Sequence, residues 1–199
     1  QTTSDGGALL LKAIDRRWGL TKACAAALTD RRQESKVSHS LIEMFQQRIY
    51  GLACGYADAN DAARLGGDPL HRMLLDRDPL DDAALASQST LSRFENSVTA
   101  TGLLRLGLAL ADAVISHHRR RLGRRVRRIT IDFDPMADPA HGSQQGVLFN
   151  GHDSKHCYLP VFGFLTFNDE PEQYLVAALL RRGLASAPEG SLWLLEKLI

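Results

Sequence analysis

Residues 129–134, Ile-Thr-Ile-Asp-Phe-Asp, leave this chain little choice of local structure. With a period of two, Ile129, Ile131 and Phe133 share one face of a strand, and Thr130, Asp132 and Asp134 share the other. Two carboxylates on one face of a buried-looking strand must be paired, hydrogen-bonded or bound to a cation, because an isolated charge is costly to bury. Just ahead of them stand Arg119, Arg120, Arg121, Arg124, Arg125, Arg127 and Arg128, seven cations within ten residues. A strand-end aspartate beside so many guanidinium groups points to a hard divalent ion working on phosphate chemistry.

The rest of the chain divides around Gly123. Residues 8–123 read mostly as helix. Leu9, Leu10, Ala13, Ile14 and Trp18 follow helical spacing, and Gly19 stops that helix. Thr21 is placed to cap residues 22–28. Ser38 or Ser40 caps a longer helix with an apolar stripe through Leu41, Met44, Phe45, Ile49 and Leu52. Asp68-Pro69 opens a short helix, and a long one is expected over 97–121. Beyond Gly123, residues 127–134, 146–150, 157–167 and 173–181 read as strands separated by turn residues. Residues 189–199 start another helix, with Ser191 as its cap. Trp18 and Trp193 are expected in the core. This order makes an α+β chain: a helical region over 1–123 followed by a strand-bearing region over 124–199.

Three cysteines, Cys24, Cys54 and Cys157, form neither a disulfide framework nor a CxxC metal pattern, which fits a reducing cytoplasm. The chain has no apolar run of transmembrane length and no secretory leader pattern, so no membrane partner is expected. The net charge of +1 conceals an asymmetry: residues 1–128 carry 20 Lys/Arg against 14 Asp/Glu, and residues 129–199 carry 4 against 9. The first part suits a polyanion and the second suits cations. Its abrupt start and end read as those of a piece of a longer protein.

Several blocks then become specific. Residues 6–11, 48–61 and 85–96, followed by Asp132-Phe133-Asp134-Pro135, His141-Gly142, Gln144-Gln145, Phe149-Asn150-Gly151, Cys157-Tyr158-Leu159-Pro160 and Leu179-Leu180-Arg181, resemble an insertion-sequence DDE transposase. The resembling branch is the thirteen-eighty family, with a group-1 transposase DDE domain, and the likeness covers nearly the whole chain. It implies the first β-strands of a ribonuclease-H-like core, two Mg2+ or Mn2+ ions, and cutting and joining of double-stranded DNA at element ends and target. It also implies a homodimer on the DNA. Of the two Asp and one Glu that hold the ions, only the first Asp is expected here, the others lying beyond Ile199. The family's catalytic Asp is followed two residues later by Thr, which selects Asp134 over Asp132, although this chain has Met136 at the Thr position.

Asp134 is thus the expected catalytic residue and metal ligand, with a plain turn-opening role beside Pro135 as the alternative. Asp132 is either the true ligand, an outer carboxylate that orients it, or the partner of an arginine from 124–128. The arginine cluster fits a DNA backbone or merely a solvated helix end. Residues 87–96 resemble the recognition helix of a helix-turn-helix unit, with Gln88, Ser89, Thr90 and Arg93 facing DNA and residues 81–85 supplying the first helix. His141 is expected to shape a turn, and the spacing of His152 and His156 means little in a loop. A truncated or domesticated DNA-binding protein that regulates transposition is the competing function.

Overall fold

Gly19 ends the first helix as the sequence predicts. Its left-handed backbone (φ 71°) closes α1 (Ala8–Trp18) and leads straight into α2 (Leu20–Ala26). The computed structural model describes residues 4–80, 83–142 and 144–199. It divides into two units, Gln1–Leu106 and Gly107–Ile199.

In the first unit Thr21 is not a cap. It lies inside α2, where its amide and hydroxyl donate to the Asp15 carboxylate at 2.8 and 2.5 Å. Ser40, rather than Ser38, opens α3 (Leu41–Ala53) through a reciprocal capping box with Glu43. The buried face of α3 is Met44, Gln47, Tyr50 and Gly51, whereas Ile49 and Leu52 are exposed. Polar groups occupy that face because each is satisfied. The Gln47 amide donates to the Ala86 carbonyl at 2.9 Å and accepts the Ala86 N–H at 3.1 Å, and the Tyr50 hydroxyl donates to Asp15 at 2.8 Å. A one-turn helix, α4 (Ala62–Leu65), precedes α5 (Pro69–Leu74), whose first amides donate to the Asp68 side chain. Two apolar clusters hold these elements and α6 (Gln88–Ser97) together. One contains Ala8, Tyr50, Leu74, Leu75 and Leu85; the other contains Met44, Ala62, Ala86 and Leu91. Leu10 and Ile14 of α1, expected on its packed face, are 70% and 54% exposed, and Trp18 is only half-buried.

The long helix starts later than expected, because the chain turns after Ser97. It is α7 (Ala100–Leu122), of which residues 107–122 belong to the second unit. There, β1 (Ile129–Pro135), β5 (Val161–Phe167) and β6 (Tyr174–Leu179) form an antiparallel sheet in the order β1-β5-β6. Between β1 and β5 the chain builds a second small sheet from β2 (Asp138–Pro139), β3 (Leu148–Asn150) and β4 (Lys155–Tyr158), in the order β2-β4-β3. The strand expected over 157–167 is therefore broken at Leu159-Pro160, so that its two ends join different sheets. Proline cannot donate to a ladder; the Pro160 carbonyl instead accepts the Met136 N–H at 3.0 Å.

One face of the larger sheet is packed. Ile131, Leu165, Phe167 and Val176 meet Ala111, Val114 and Leu122 of α7. Phe133, Val161 and Ala177 meet Leu194 of α8 (Ser191–Leu198). Gly163, opposite Phe133 in the ladder, leaves room for that ring; a Cβ on it would lie 3.1 Å from Phe133 Cε1. α8 is preceded by Gly190 in the left-handed conformation (φ 83°) and not capped by Ser191, and Trp193 is 40% exposed, outside the core where it was expected. Among the described residues no single helix is long and apolar enough to cross a membrane.

Candidate functional site

Asp132 and Asp134 lie side by side on the unpacked face of β1, about 6.6 Å apart along the strand from the rise per residue. The alternation expected in residues 129–134 is present from Thr130 on: Ile131 and Phe133 pack inward while Thr130, Asp132 and Asp134 point out, but Ile129, expected on the packed face, is 51% exposed. Burial is where the expectation fails. Both carboxylates are exposed, so neither has to be neutralised for the strand to form. Across the ladder they face Phe164 and Phe162 respectively, which supply an apolar, non-competing floor. Asp132 does not pair with an arginine from 124–128. Among the described residues neither Asp132 nor Asp134 is engaged in a side-chain hydrogen bond or ion pair. Two accessible oxygen donors of this kind fit a hard divalent cation. β1 is also an edge of its sheet among the described residues, being paired to β5 alone.

The arginine cluster sorts into two groups. Arg121 donates to both oxygens of Glu170 and, through Nε, to His118 Nδ1 at 3.1 Å. Arg125 is folded back onto the carbonyls of Leu122 and Arg121 at the helix end, at 3.3 and 2.8 Å. Arg128 bridges to Asp169 at 2.5 Å and to the Asn168 carbonyl at 3.1 Å. The side chains of Arg119, Arg120, Arg124 and Arg127 are exposed and make no such contact among the described residues. These four retain full capacity for an external anion. The Arg121 guanidinium holds the Glu170 carboxyl below the ordinary carboxylate range.

In the first unit, α6 exists as expected, but not as the second half of a tight helix-turn-helix. Its supposed partner helix lies over 81–85, of which 81 and 82 are outside the described residues, and 83–85 are not helical. The helix before α6 is α5, and residues 75–87 separate them. Gln88 is half-buried at the first turn, and Ser89 is exposed and bonded to Ser87 Oγ at 3.2 Å. Thr90 and Arg93, joined at 3.3 Å, reach a common hollow of about 530 Å³. Its cationic lining also includes Arg31, Arg32, Lys36 and Arg105, and its one carboxylate is Asp30. Asp30 is already clasped by Arg32, whose hydrogen bonds lower the Asp30 pKa. Five cations against one paired acid leave a positive concavity. Sequence reasoning missed Arg31, Arg32, Lys36 and Arg105, because they lie on two segments, residues 31–36 and α7, that only the fold brings together with Arg93.

Two further side chains, Arg181 of the Leu179-Leu180-Arg181 block and His118, had no role assigned from the sequence. Arg181 is 6% exposed, and its guanidinium donates to the carbonyls of Leu159 at 2.7 Å, Ser186 at 2.9 Å, Ala187 at 3.2 Å and Glu189 at 2.8 Å. His118 is 2% exposed, with its ring stacked on Phe167 at 4.9 Å and tilted against Tyr174 at 3.9 Å. Burial, followed by the nearby Arg121 charge, pushes the His118 pKa down. His141 and His156 line a second hollow with Gln144, a meeting their sequence spacing did not suggest. Gly142, at φ 93°, makes the turn beside His141.

The sequence pattern of the family described as transposase DDE domain group 1 matches residues 1–199. No curated protein and no solved structure matches the chain.

Proposed function

Because this chain belongs to the transposase DDE domain group 1 family, we propose that it cuts DNA phosphodiester bonds at insertion-sequence ends and joins them to target DNA, with Asp134 as the first metal-holding residue. The single observation that carries this reading is the pair of exposed carboxylates, free of arginine partners, on the open face of β1. The β1-β5-β6 antiparallel order is compatible with the opening strands of a ribonuclease-H-like core. The sequence blocks quoted above support the thirteen-eighty branch.

Asp134 would hold Mg2+ or Mn2+, with Asp132 next to it as a further ligand or as an outer carboxylate that orients the first. Held there, such an ion would supply Lewis acidity for activating water or a DNA 3′-hydroxyl and for offsetting charge on the scissile phosphate. The chain's own contribution is placement. Phe133 and Ile131, packed behind the strand, fix the height of the two carboxylates, and Arg119, Arg120, Arg124 and Arg127 hold backbone phosphates. Thr90 and Arg93, with the cationic hollow beside them, provide a second DNA contact, and Gln88 and Ser89 at the start of α6 are its base-reading residues. The exposed Leu10 and Ile14 of α1 support a homodimer on DNA.

Asp134→Asn in the transposase tests the reading. Loss of cleavage and strand transfer with unchanged DNA binding and unchanged stability is expected, and retained strand transfer would refute the assignment. The competing reading, a DNA binder that regulates transposition without catalysis, draws on Met136 in place of the family's Thr. It requires Asp134→Asn and the parent protein to be equally inactive, and equally able to bind element ends.

A further inference from the structure

We propose that the first unit carries a separate cation site formed by Asp5, Cys54 and His71, suited to Zn2+ and independent of the carboxylates on β1. One carboxylate oxygen, one thiol sulfur and one imidazole nitrogen from these residues lie within 4.8 Å of one another. They come from three separate elements: Asp5 from the segment ahead of α1, Cys54 from the C-terminal cap of α3, and His71 from the middle of α5. Nothing in local sequence spacing brings them together; only tertiary packing does.

The geometry is close to that of a bound ion. Asp5 Oδ2 and His71 Nε2 are 3.0 Å apart, and two ligands of one tetrahedral Zn2+ are about 3.3 Å apart given the usual metal–ligand distances. Cys54 Sγ lies within 4.8 Å of both atoms and has to draw closer to complete the set, since a sulfur and a nitrogen on one tetrahedral Zn2+ are about 3.6 Å apart. The His71 ring is 2% exposed, while Asp5 and Cys54 are half-buried, so the site is enclosed on the protein side and open to water on the other. That leaves the fourth position to solvent. The Tyr56 hydroxyl donates to Asp5 Oδ2 at 2.8 Å and orients the carboxylate from outside the donor set, as outer hydrogen bonds do at metal sites.

Without the ion, the Asp5–His71 hydrogen bond satisfies the pair. On binding, the Cys54 thiol releases its proton to water and the sulfur becomes a thiolate ligand. The proton that His71 Nε2 donates to Asp5 in the ion-free chain passes through solvent to Nδ1, and Nε2 and the Asp5 carboxylate turn their lone pairs to the metal. One divalent ion enters and one proton leaves. The donor set selects the metal class: thiolate and imidazole favour Zn2+, whereas Asp132 and Asp134 offer only hard oxygen atoms, which favour Mg2+ or Mn2+. Bound there, the ion ties the segment before α1 to the end of α3 and to α5, beside the apolar cluster of Ala8, Tyr50 and Leu74.

Titration of the metal-free chain with Co2+ as a spectroscopic probe tests the site. The expected result is one equivalent of tightly held Co2+ with a thiolate-to-metal charge-transfer band, displaced by Zn2+. The band should be abolished in Cys54→Ser and unchanged in Asp134→Asn. In the unaltered chain, Zn2+ should slow alkylation of Cys54, read by mass spectrometry on the peptide that contains it, by at least tenfold. No thiolate band, a band that survives Cys54→Ser or vanishes in Asp134→Asn, or alkylation indifferent to Zn2+ would overturn the proposal. The alkylation measurement decides the matter should Cys54→Ser fail to fold.

Discussion

Arg121 clasps Glu170 in a two-pronged ion pair, its Nη1 at 3.0 Å from one carboxylate oxygen and its Nη2 at 2.5 Å from the other. A guanidinium so engaged has little left for a nucleic-acid phosphate, whereas Arg124 and Arg127 stand clear. Substitution of Arg124 and Arg127 by Gln should lower the slope of log affinity for DNA against log salt by about 0.9 for each phosphate contact removed. Arg121→Gln should change it far less. Glu170→Gln, which releases Arg121, should raise affinity at low salt. Salt-dependent binding curves on a duplex separate these outcomes.

The socket behind the candidate site should be intolerant of bulk. Gly163→Val places a Cβ 3.1 Å from both Phe133 Cε1 and Ala177 Cβ before its methyl groups are counted. Overpacking of this sort costs about 1–3 kcal/mol. Because Phe133 sits between Asp132 and Asp134, displacing its ring also moves the carboxylates. Urea denaturation should register the stability loss, and divalent-ion affinity should fall although no ligand has been altered.

Arg181 should behave as a structural residue. Four carbonyls from two segments accept from its buried guanidinium, and deleting it removes a donor from each, although Ser186 O keeps the Glu189 N–H at 3.0 Å. Arg181→Ala is expected to destabilise the second unit by more than about 3 kcal/mol, since several hydrogen bonds to a charged group are lost together. Arg181→Lys should recover only a small part, because an ammonium cannot reproduce the planar fork. Chemical denaturation of the three proteins at neutral pH distinguishes a graded from an all-or-none loss.

His118 sets a pH dependence whose sign follows from its depressed pKa. The unfolded chain takes up a proton near pH 6.5 that the folded chain refuses, so stability from the neutral ring is fully present above about pH 6.5. It declines as the pH falls through the folded-state pKa. His118→Phe, which retains the packing against Phe167 and Tyr174, should therefore show a weaker loss of stability between pH 7 and pH 5 than the parent chain. The comparison of the two proteins isolates this group from His39, whose pKa is also lowered, chiefly by burial and by Arg77. An equal decline in both proteins would show that His118 does not titrate in this way.

Local signals were legible in the sequence, and assembled ones were not. Gly19, a serine cap at 38 or 40, Asp68-Pro69 and the alternation in residues 130–134 each act within one turn or one strand, and each is present, the cap at Ser40 with Glu43 completing a capping box. The apolar stripe of α3 was misjudged because Gln47 is buried through a partner 39 residues away, a pairing that periodicity cannot register. The strand over 157–167 was read as continuous because its composition is; the break comes from the second sheet, which captures residues 155–158. Of the candidate site, the two aspartates were found from their spacing and from family resemblance. The hollow lined by Arg31, Arg32, Lys36 and Arg105 was invisible, since its charges lie on segments that meet only after folding.

β1 is held by its ladder to β5 and, from its rear, by Ile131 and Phe133 against α7 and α8. Its front bears almost no responsibility for holding the molecule together. Side chains at positions 130, 132 and 134 can therefore be exchanged at little energetic penalty to the fold. A chain altered at these outward positions would keep its shape, so the strand can carry different surface chemistries on one unchanged frame.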